Sequence, residues 1–268
     1  MSLLEKIRKY LNTSLNETQR NKIRKFQGLR FRGLQHFFYR SFMGSNLKAL
    51  ATVYGSDKWG VHWYAQHYEA HFAPLRQKRL NILEIGIGGY KDPEEGGRSL
   101  RMWRTYFPQS RIYGIDVYDK SLHDECRIKT FKGSQTDEQF LEEVFKRIER
   151  VDIIIDDGNH QNEQVLYTFK FFFPRLSENG IYVIEDIQTS YWPEYGGSSD
   201  NLNRMDTTMG FFKSLTDGLN HDDLKKEKYE PSYYDRHISA VHFYRNLVIV
   251  RKGIAMIVLL LFFEHCPI

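Results

Sequence analysis

Cysteine is scarce, with only Cys126 and Cys266 in 268 residues. That excludes a disulfide-framed scaffold and, for want of ligand spacing, a cysteine-based zinc centre. A reducing compartment, the cytoplasm, is the expectation. Long apolar runs are missing as well. Ile254 to Phe263 is unbroken for ten residues, about half of the roughly 20 that a membrane-spanning helix needs. A core strand, a partner-binding tail and a bilayer-touching segment all remain open for it. No apolar stretch precedes a small-residue cleavage site at the N-terminus, so no secretory leader is expected. Neither a GxxxxGK[ST] phosphate loop nor a complete GxGxxG fingerprint occurs. No base-stacking signature points to nucleic acid.

What is present describes a globular chain, 41% hydrophobic and 27% charged, of a length that suits one sizeable domain. The net charge of +4 is unevenly spread: residues 1–50 carry 11 Lys/Arg against 2 Asp/Glu. Lys6, Arg8, Lys9, Lys22, Arg24 and Lys25 interleave with Leu3, Leu4, Ile7, Leu11, Ile23 and Phe26, as in amphipathic helices with solvated charges. Such an arm also attracts phosphate, anionic lipid or an acidic partner. Residues 1–53 therefore read as a basic helical arm, 54–253 as the main domain and 254–268 as an apolar tail.

Within the main domain, Leu80–Ile85, Arg111–Asp116, Val151–Ile155 and Gly180–Ile184 read as buried strands. Ser99–Phe107, Glu138–Glu149 and Gln164–Leu176 read as the helices between them, and RIKTFKG as a further short strand. Ala240–Tyr244 and Leu247–Arg251 form a hairpin around Arg245–Asn246. The pattern predicts an α/β protein with a Rossmann-like, doubly wound, mainly parallel sheet. An antiparallel C-terminal edge hairpin and the helical N-terminal arm complete it. Ligands of such sheets bind beyond the carboxyl ends of the strands, where the chemistry-bearing residues of this chain stand.

The first strand runs into Glu84-Ile85-Gly86-Ile87-Gly88-Gly89. A glycine turn lets a ligand approach the backbone closely, although ordinary turns use glycine too. Lys91 stands where a dinucleotide fingerprint needs its third glycine, which demotes a nicotinamide cofactor. The second strand ends in Asp116, whose carboxylate suits a ribose diol; a helix cap or solvated turn is the structural alternative. The long KDPEEGGRSL connection has the length of a functional loop.

On these residues the chain resembles a known family. LEIGIGG and YGIDVYDKS are similar to the cofactor half of class I S-adenosylmethionine-dependent methyltransferases. Together with GSDKWGVHWY, GSQTD, IDDGNH, IEDIQTSYWPEYGG and YYDRHISAVHFYRNLV, they resemble the macrolide sugar O-methyltransferases of the mycinamicin and macrocin type, from about residue 54 to 252.

Asp156, Asp157 and His160 follow the third strand, and Glu185, 28 residues beyond Asp157, is followed directly by Asp186. Carboxylates converging there repel one another unless a cation compensates, and Mg²⁺ accepts a few carboxylates plus water. The resemblance implies Asp157, Glu185 and Asp186 as metal ligands and His160 as the base; Asn159 stands where serine is common. It further implies Tyr54, Asp57, Lys58, Glu84, Gly86, Gly88, Asp116, Ser134, Gln135 and Asp156 as cofactor contacts. Gln188, Thr189, Tyr191 and Trp192 are candidates for the acceptor wall, with plain packing as the alternative. His237 and His242 read as structural.

The function so implied is S-adenosylmethionine- and Mg²⁺-dependent O-methylation of a hydroxyl on a sugar or glycosylated natural product. The expected partner is a small glycoside or polyhydroxylated acceptor, with no nucleic acid. Peripheral membrane contact and homo-oligomer formation through the arm stay open. The rivals are a nicotinamide-dependent oxidoreductase and a non-enzymatic surface-binding protein using the arm and tail.

Overall fold

The computed structural model describes residues 34–226 and 228–253. The helices expected over the first 33 residues, and the apolar tail, lie outside the described residues. Seven strands form one sheet in the order β3-β2-β1-β4-β5-β7-β6. The pairs β2–β3, β1–β4 and β4–β5 are parallel, and the last three strands run antiparallel. This is the expected mainly parallel sheet with an antiparallel edge hairpin. Two compact units divide the chain: one holds Ile87–Lys132 with the residues before Leu80, the other Leu80–Gly86 with those after Lys132.

The second unit contains β1 (Asn81–Ile85), β4 (Val151–Asp156), β5 (Leu176–Glu185), β6 (Ile238–Tyr244) and β7 (Leu247–Lys252). All six residues of β4 are buried, so its Ile153-Ile154-Ile155 run is apolar without alternation, as strands covered on both faces are. Helix α5 (Glu138–Ile148) starts where the Asp137 carboxylate accepts from the Phe140 N–H, and it buries Leu141, Val144 and Ile148. That i, i+3, i+7 spacing makes one apolar stripe. Helix α6 (Asn162–Phe172) packs Phe169 edge-on to Tyr182 and to Phe212 of α7 (Thr208–Gly218). It was expected to reach Leu176. It stops four residues earlier because Pro174 ends the regular helix in a 3₁₀ turn, and Leu176 already opens β5. A short helix α8 (Tyr233–His237) leads into β6.

The first unit contains a helical stretch over residues 34–43, here α1, and α2 (Leu47–Tyr54), α3 (Ala65–Phe72), α4 (Arg98–Tyr106), β2 (Arg111–Asp116) and β3 (Ile128–Lys132). Asn46 caps α2 and Gly55 closes it in the left-handed conformation. Tyr68, Phe72, Trp103 and Phe107 build an aromatic core. In α1, Tyr39 packs its ring against Tyr54, while Leu34, Phe37, Phe38 and Phe42 face solvent. Among the described residues no helix is long and apolar enough to cross a membrane.

Candidate active site

Register decides which acidic residues meet. Asp156, the last residue of β4, pairs with Ile85 of β1 and with Ile184 of β5. The next residues along these three strands are Asp157, Gly86 and Glu185-Asp186. The Asp157 N–H donates to the Ile85 carbonyl at 2.9 Å. Gly86 lies at φ +87°, and a Cβ on it would stand 1.9 Å from the Asp157 carbonyl oxygen. Glycine is therefore required here because the backbone of Asp157 occupies the space of a side chain.

The chain then leaves both strands abruptly. Asp186 adopts φ 51° and His160 φ 57°, left-handed values that are uncommon outside glycine but that Asp and His tolerate better than most. These turns bring three side chains together. His160 Nε2 lies 3.6 Å from Asp186 Oδ2 and 3.9 Å from Asp157 Oδ1. One ligand atom from each residue falls within 4.8 Å of the others, and all three are partly exposed. Glu185, expected as the third carboxylate ligand, is not in this group. It still belongs to β5 and is 3% exposed in the buried row of that strand, whereas Asp186 has turned out of it. The observed cluster is two carboxylates and an imidazole rather than three carboxylates beside an imidazole.

Oxygen donors at this separation suit a hard divalent cation, and neutral imidazole is a compatible ligand or proton acceptor. The donor set thus fits Mg²⁺.

Beside the cluster, Asp156 is 1% exposed. Burial pushes its carboxyl up from 3.8 to about 7, and the neighbouring Asp157 charge adds to the effect. Contacts from the Gly158 N–H, Tyr182 and Gln135 oppose it without prevailing. The Tyr182 hydroxyl donates to Oδ2 at 3.4 Å. Gln135 is fixed in turn, its amide nitrogen donating to Thr168 Oγ1 at 3.0 Å. Ser134 forms a local turn, accepting from the Thr136 N–H. Tyr182 and Thr168 were missed as supports of Asp156 and Gln135; their partners lie 26 and 33 residues away, beyond any local sequence signal.

Among the acceptor-wall candidates, the 3₁₀ turn Ile187–Tyr191 follows Asp186 directly. Thr189 is buried, and its carbonyl, like that of Tyr195, accepts from the Asn162 side chain. These bonds tie the turn to the first residue of α6. Trp192 is 43% exposed and leans on Tyr195 at 5.8 Å, an aromatic face available to a ligand.

In the first unit, Asp116 accepts the Ile87 N–H on Oδ2 at 3.0 Å and the Tyr118 N–H on Oδ1 at 2.9 Å. Each oxygen keeps a second lone pair for a hydroxyl. The Gly88 backbone takes φ +77°. The Tyr54 hydroxyl lies 2.8 Å from Thr105 Oγ1. Asp57 is exposed while Lys58 is fully buried. Glu84 is fully buried in β1. His237 stacks on Tyr233 at 4.0 Å, in keeping with a structural role.

No protein-family model matches the chain. It is 44% identical over 210 residues to mycinamicin VI 2''-O-methyltransferase of Micromonospora griseorubida, covering 78% of this chain and 53% of that protein. It is 45% identical over 207 residues to 8-demethyl-8-alpha-L-rhamnosyl tetracenomycin-C 2'-O-methyltransferase of Streptomyces olivaceus, covering 77% and 54%. A solved structure of the MycE methyltransferase, in complex with Mg, SAH and mycinamycin VI, superposes with a TM-score of 0.74 at 44% identity, over 78% of this chain and 54% of that one. The chain spans about half the length of these relatives. Over the matched stretch, the chain is similar to these O-methyltransferases and shares the fold of a methyltransferase solved with Mg and SAH.

Proposed function

We propose that this protein is an S-adenosylmethionine- and Mg²⁺-dependent O-methyltransferase, acting on a hydroxyl of a sugar or glycosylated natural product. The observation that carries the reading is the convergence of Asp157, His160 and Asp186 at strand ends, with donor atoms inside 4.8 Å. The 44–45% identity to enzymes named for sugar O-methylation supports the substrate class. Residues 54–253 would form the catalytic domain, with 1–53 as arm and 254–268 as tail. We place the protein in the cytoplasm, where the free, exposed Cys126 thiol stays reduced.

Asp157 and Asp186 would hold the metal, with Glu185 one residue away contributing by a side-chain movement. The ion, when bound, makes an acceptor hydroxyl more acidic and fixes its position. His160, as neutral imidazole, takes the hydroxyl proton on Nε2, the nitrogen that faces both carboxylates. S-adenosylmethionine, when bound, would supply the electrophilic methyl carbon to that oxygen and depart as S-adenosylhomocysteine, its sulfur keeping the C–S electron pair and the hydroxyl proton remaining on His160. To the cofactor we assign Asp116 for the ribose diol, Gly86 and Gly88 for close backbone approach, and Ser134, Gln135 and Asp156 for the nucleoside. Tyr54, Asp57, Lys58 and Glu84 are assigned with them.

Steady-state assay of a sugar-hydroxyl acceptor tests this. Activity is expected to vanish in EDTA and return with Mg²⁺. His160→Ala should bind S-adenosylhomocysteine like wild type in calorimetry and turn over at least about 100-fold more slowly. Full activity in chelator removes the metal from the mechanism, and unimpaired turnover of His160→Ala removes the base.

A further inference from the structure

The loop expected to have a functional length, Lys91 to Gly97, is mostly exposed along its first half, yet its backbone is gripped from beneath. Lys120 is 1% exposed. Its ammonium donates to the carbonyls of Asp92 at 2.6 Å and Glu95 at 3.1 Å. His123, also buried, places Nε2 3.0 Å from the same Glu95 carbonyl, and its Nδ1 lies 3.2 Å from Arg101 Nη1. Because a guanidinium only donates, that nitrogen accepts, and the imidazole proton sits on Nε2 facing Glu95. Arg101 Nη2 donates to the Gly96 carbonyl at 3.2 Å.

The loop is joined in turn to the glycine turn. The Asp92 N–H donates to the Gly89 carbonyl at 3.1 Å, and the Gly97 N–H to the Ile87 carbonyl at 2.8 Å. The Ile87 N–H is the donor that reaches Asp116 at 3.0 Å. Ile87 is thus held through its N–H by the carboxylate assigned to ribose and through its carbonyl by the far end of the loop. Lys120 stands four residues after Asp116, on the segment that bears both grips. A buried ammonium is costly unless well-placed acceptors surround it, and here two convergent carbonyls compensate it in short, charge-assisted bonds.

We propose that Lys120 is a positioning residue of the cofactor turn: it clasps the 91–97 loop to the Asp116 segment and so sets the backbone path of Ile87–Gly89 that the sulfonium nucleoside meets. This rests on the methyltransferase reading above and adds a residue and a loop to it. Lys120 touches no reacting atom. Its loss acts by letting the loop and turn sample other paths, and affinity falls in proportion to the population of the competent one.

The test uses the full chain with Mg²⁺. Lys120→Met, which keeps the stem and removes the donors, is expected to weaken S-adenosylhomocysteine binding in calorimetry by about tenfold if only one molecule in ten keeps the turn. The KM for S-adenosylmethionine should rise alike, while kcat at saturation stays within about twofold, the pattern of lost binding rather than lost chemistry. His123→Leu, which removes the Glu95 and Arg101 contacts of the ring but leaves the Lys120 clasp, should shift affinity the same way by less, and it serves if Lys120→Met fails to fold. Arg175→Ala is the control for general destabilisation. It loses the Glu142 carboxylate and the Phe171 carbonyl in the other unit, and should keep wild-type affinity. Equal affinity of Lys120→Met and wild type overturns the inference alone, as does an equal loss in Arg175→Ala. Wild type that binds no S-adenosylhomocysteine overturns the inference together with the function beneath it.

Discussion

Replacing Gly86 by alanine separates a turn that merely needs flexibility from one that holds a ligand in place. The added methyl would stand 1.9 Å from the Asp157 carbonyl oxygen and 2.7 Å from its carbon, at a backbone φ of +87°. To relieve that contact the Asp157 backbone must retreat by roughly 1 Å. A misplacement of that size costs on the order of 100-fold in turnover, equivalent to about 2.7 kcal/mol of barrier. The unfavourable φ adds about 1–2 kcal/mol of destabilisation, which lowers Tm by several degrees. Initial rates measured against Mg²⁺ concentration, with saturating S-adenosylmethionine, read the first effect. The half-saturating Mg²⁺ should rise, and the plateau rate should fall by about two orders of magnitude. Gly196→Ala provides the contrast, because Gly196 has φ +77° with nothing within 4 Å of its Cβ position. It should lose stability and keep the wild-type Mg²⁺ curve. An unchanged Mg²⁺ curve in Gly86→Ala would refute the claim that this glycine positions Asp157.

Asp156 gives a pH signature. Its folded carboxyl titrates near about 7 against an ordinary 3.8, so the folded chain retains a proton that the unfolded chain releases. Its contribution is full below pH 3.8 and is lost as pH rises through about 7. In chelator, Asp156→Asn should therefore gain Tm on wild type between those two pH values and hold a constant lead above them; parallel melting curves across that range would contradict the burial argument. Trp192→Ala should raise the KM for a glycoside acceptor by about three- to tenfold through a lost aromatic face, with S-adenosylhomocysteine affinity unchanged; an unchanged acceptor KM places Trp192 outside the acceptor wall.

Much of this architecture is legible in the sequence because parallel strands buried on both faces must be apolar throughout. VDIII, RIYGID and GIYVI need no partner to be recognised, and the acids just after them fall where ligands of such sheets gather. The placement of Asp116, Asp157 and Asp186 just past strand ends was readable for that reason. That Asp186 and not Glu185 joins Asp157 and His160 in the cluster was not, both having been expected there. It depends on where β5 stops pairing with β7, and Glu185 is still in register with Leu247. Equally hidden were the supports that join distant positions, Tyr54 to Thr105 and Lys120 to Asp92 and Glu95. Each is a single polar contact between side chains or backbones with no periodicity to announce it. The end of α6 was misplaced because Phe171-Phe172-Phe173 suits helix and strand alike, and Pro174 alone breaks the tie.

The two left-handed residues tie the fold to the chemistry. His160 and Asp186 both turn at φ above 50°, conformations that cost of order 1 kcal/mol or more and persist only where surrounding structure imposes them. The imposition is visible at each. Asp186 is followed by the 3₁₀ turn Ile187–Tyr191, whose Thr189 carbonyl is tied to Asn162, as is the Tyr195 carbonyl of the next turn, and Asn162 is also the first residue of α6, two residues beyond His160. One amide side chain therefore spans from the segment bearing the imidazole to the segment bearing a carboxylate, and its own oxygen accepts the Thr208 N–H at 2.6 Å. Two carboxylates and an imidazole held a few ångströms apart gain little for folding, since the like charges repel. On the proposed mechanism, their rigid support would keep a cation and a proton acceptor at a fixed separation before substrate arrives.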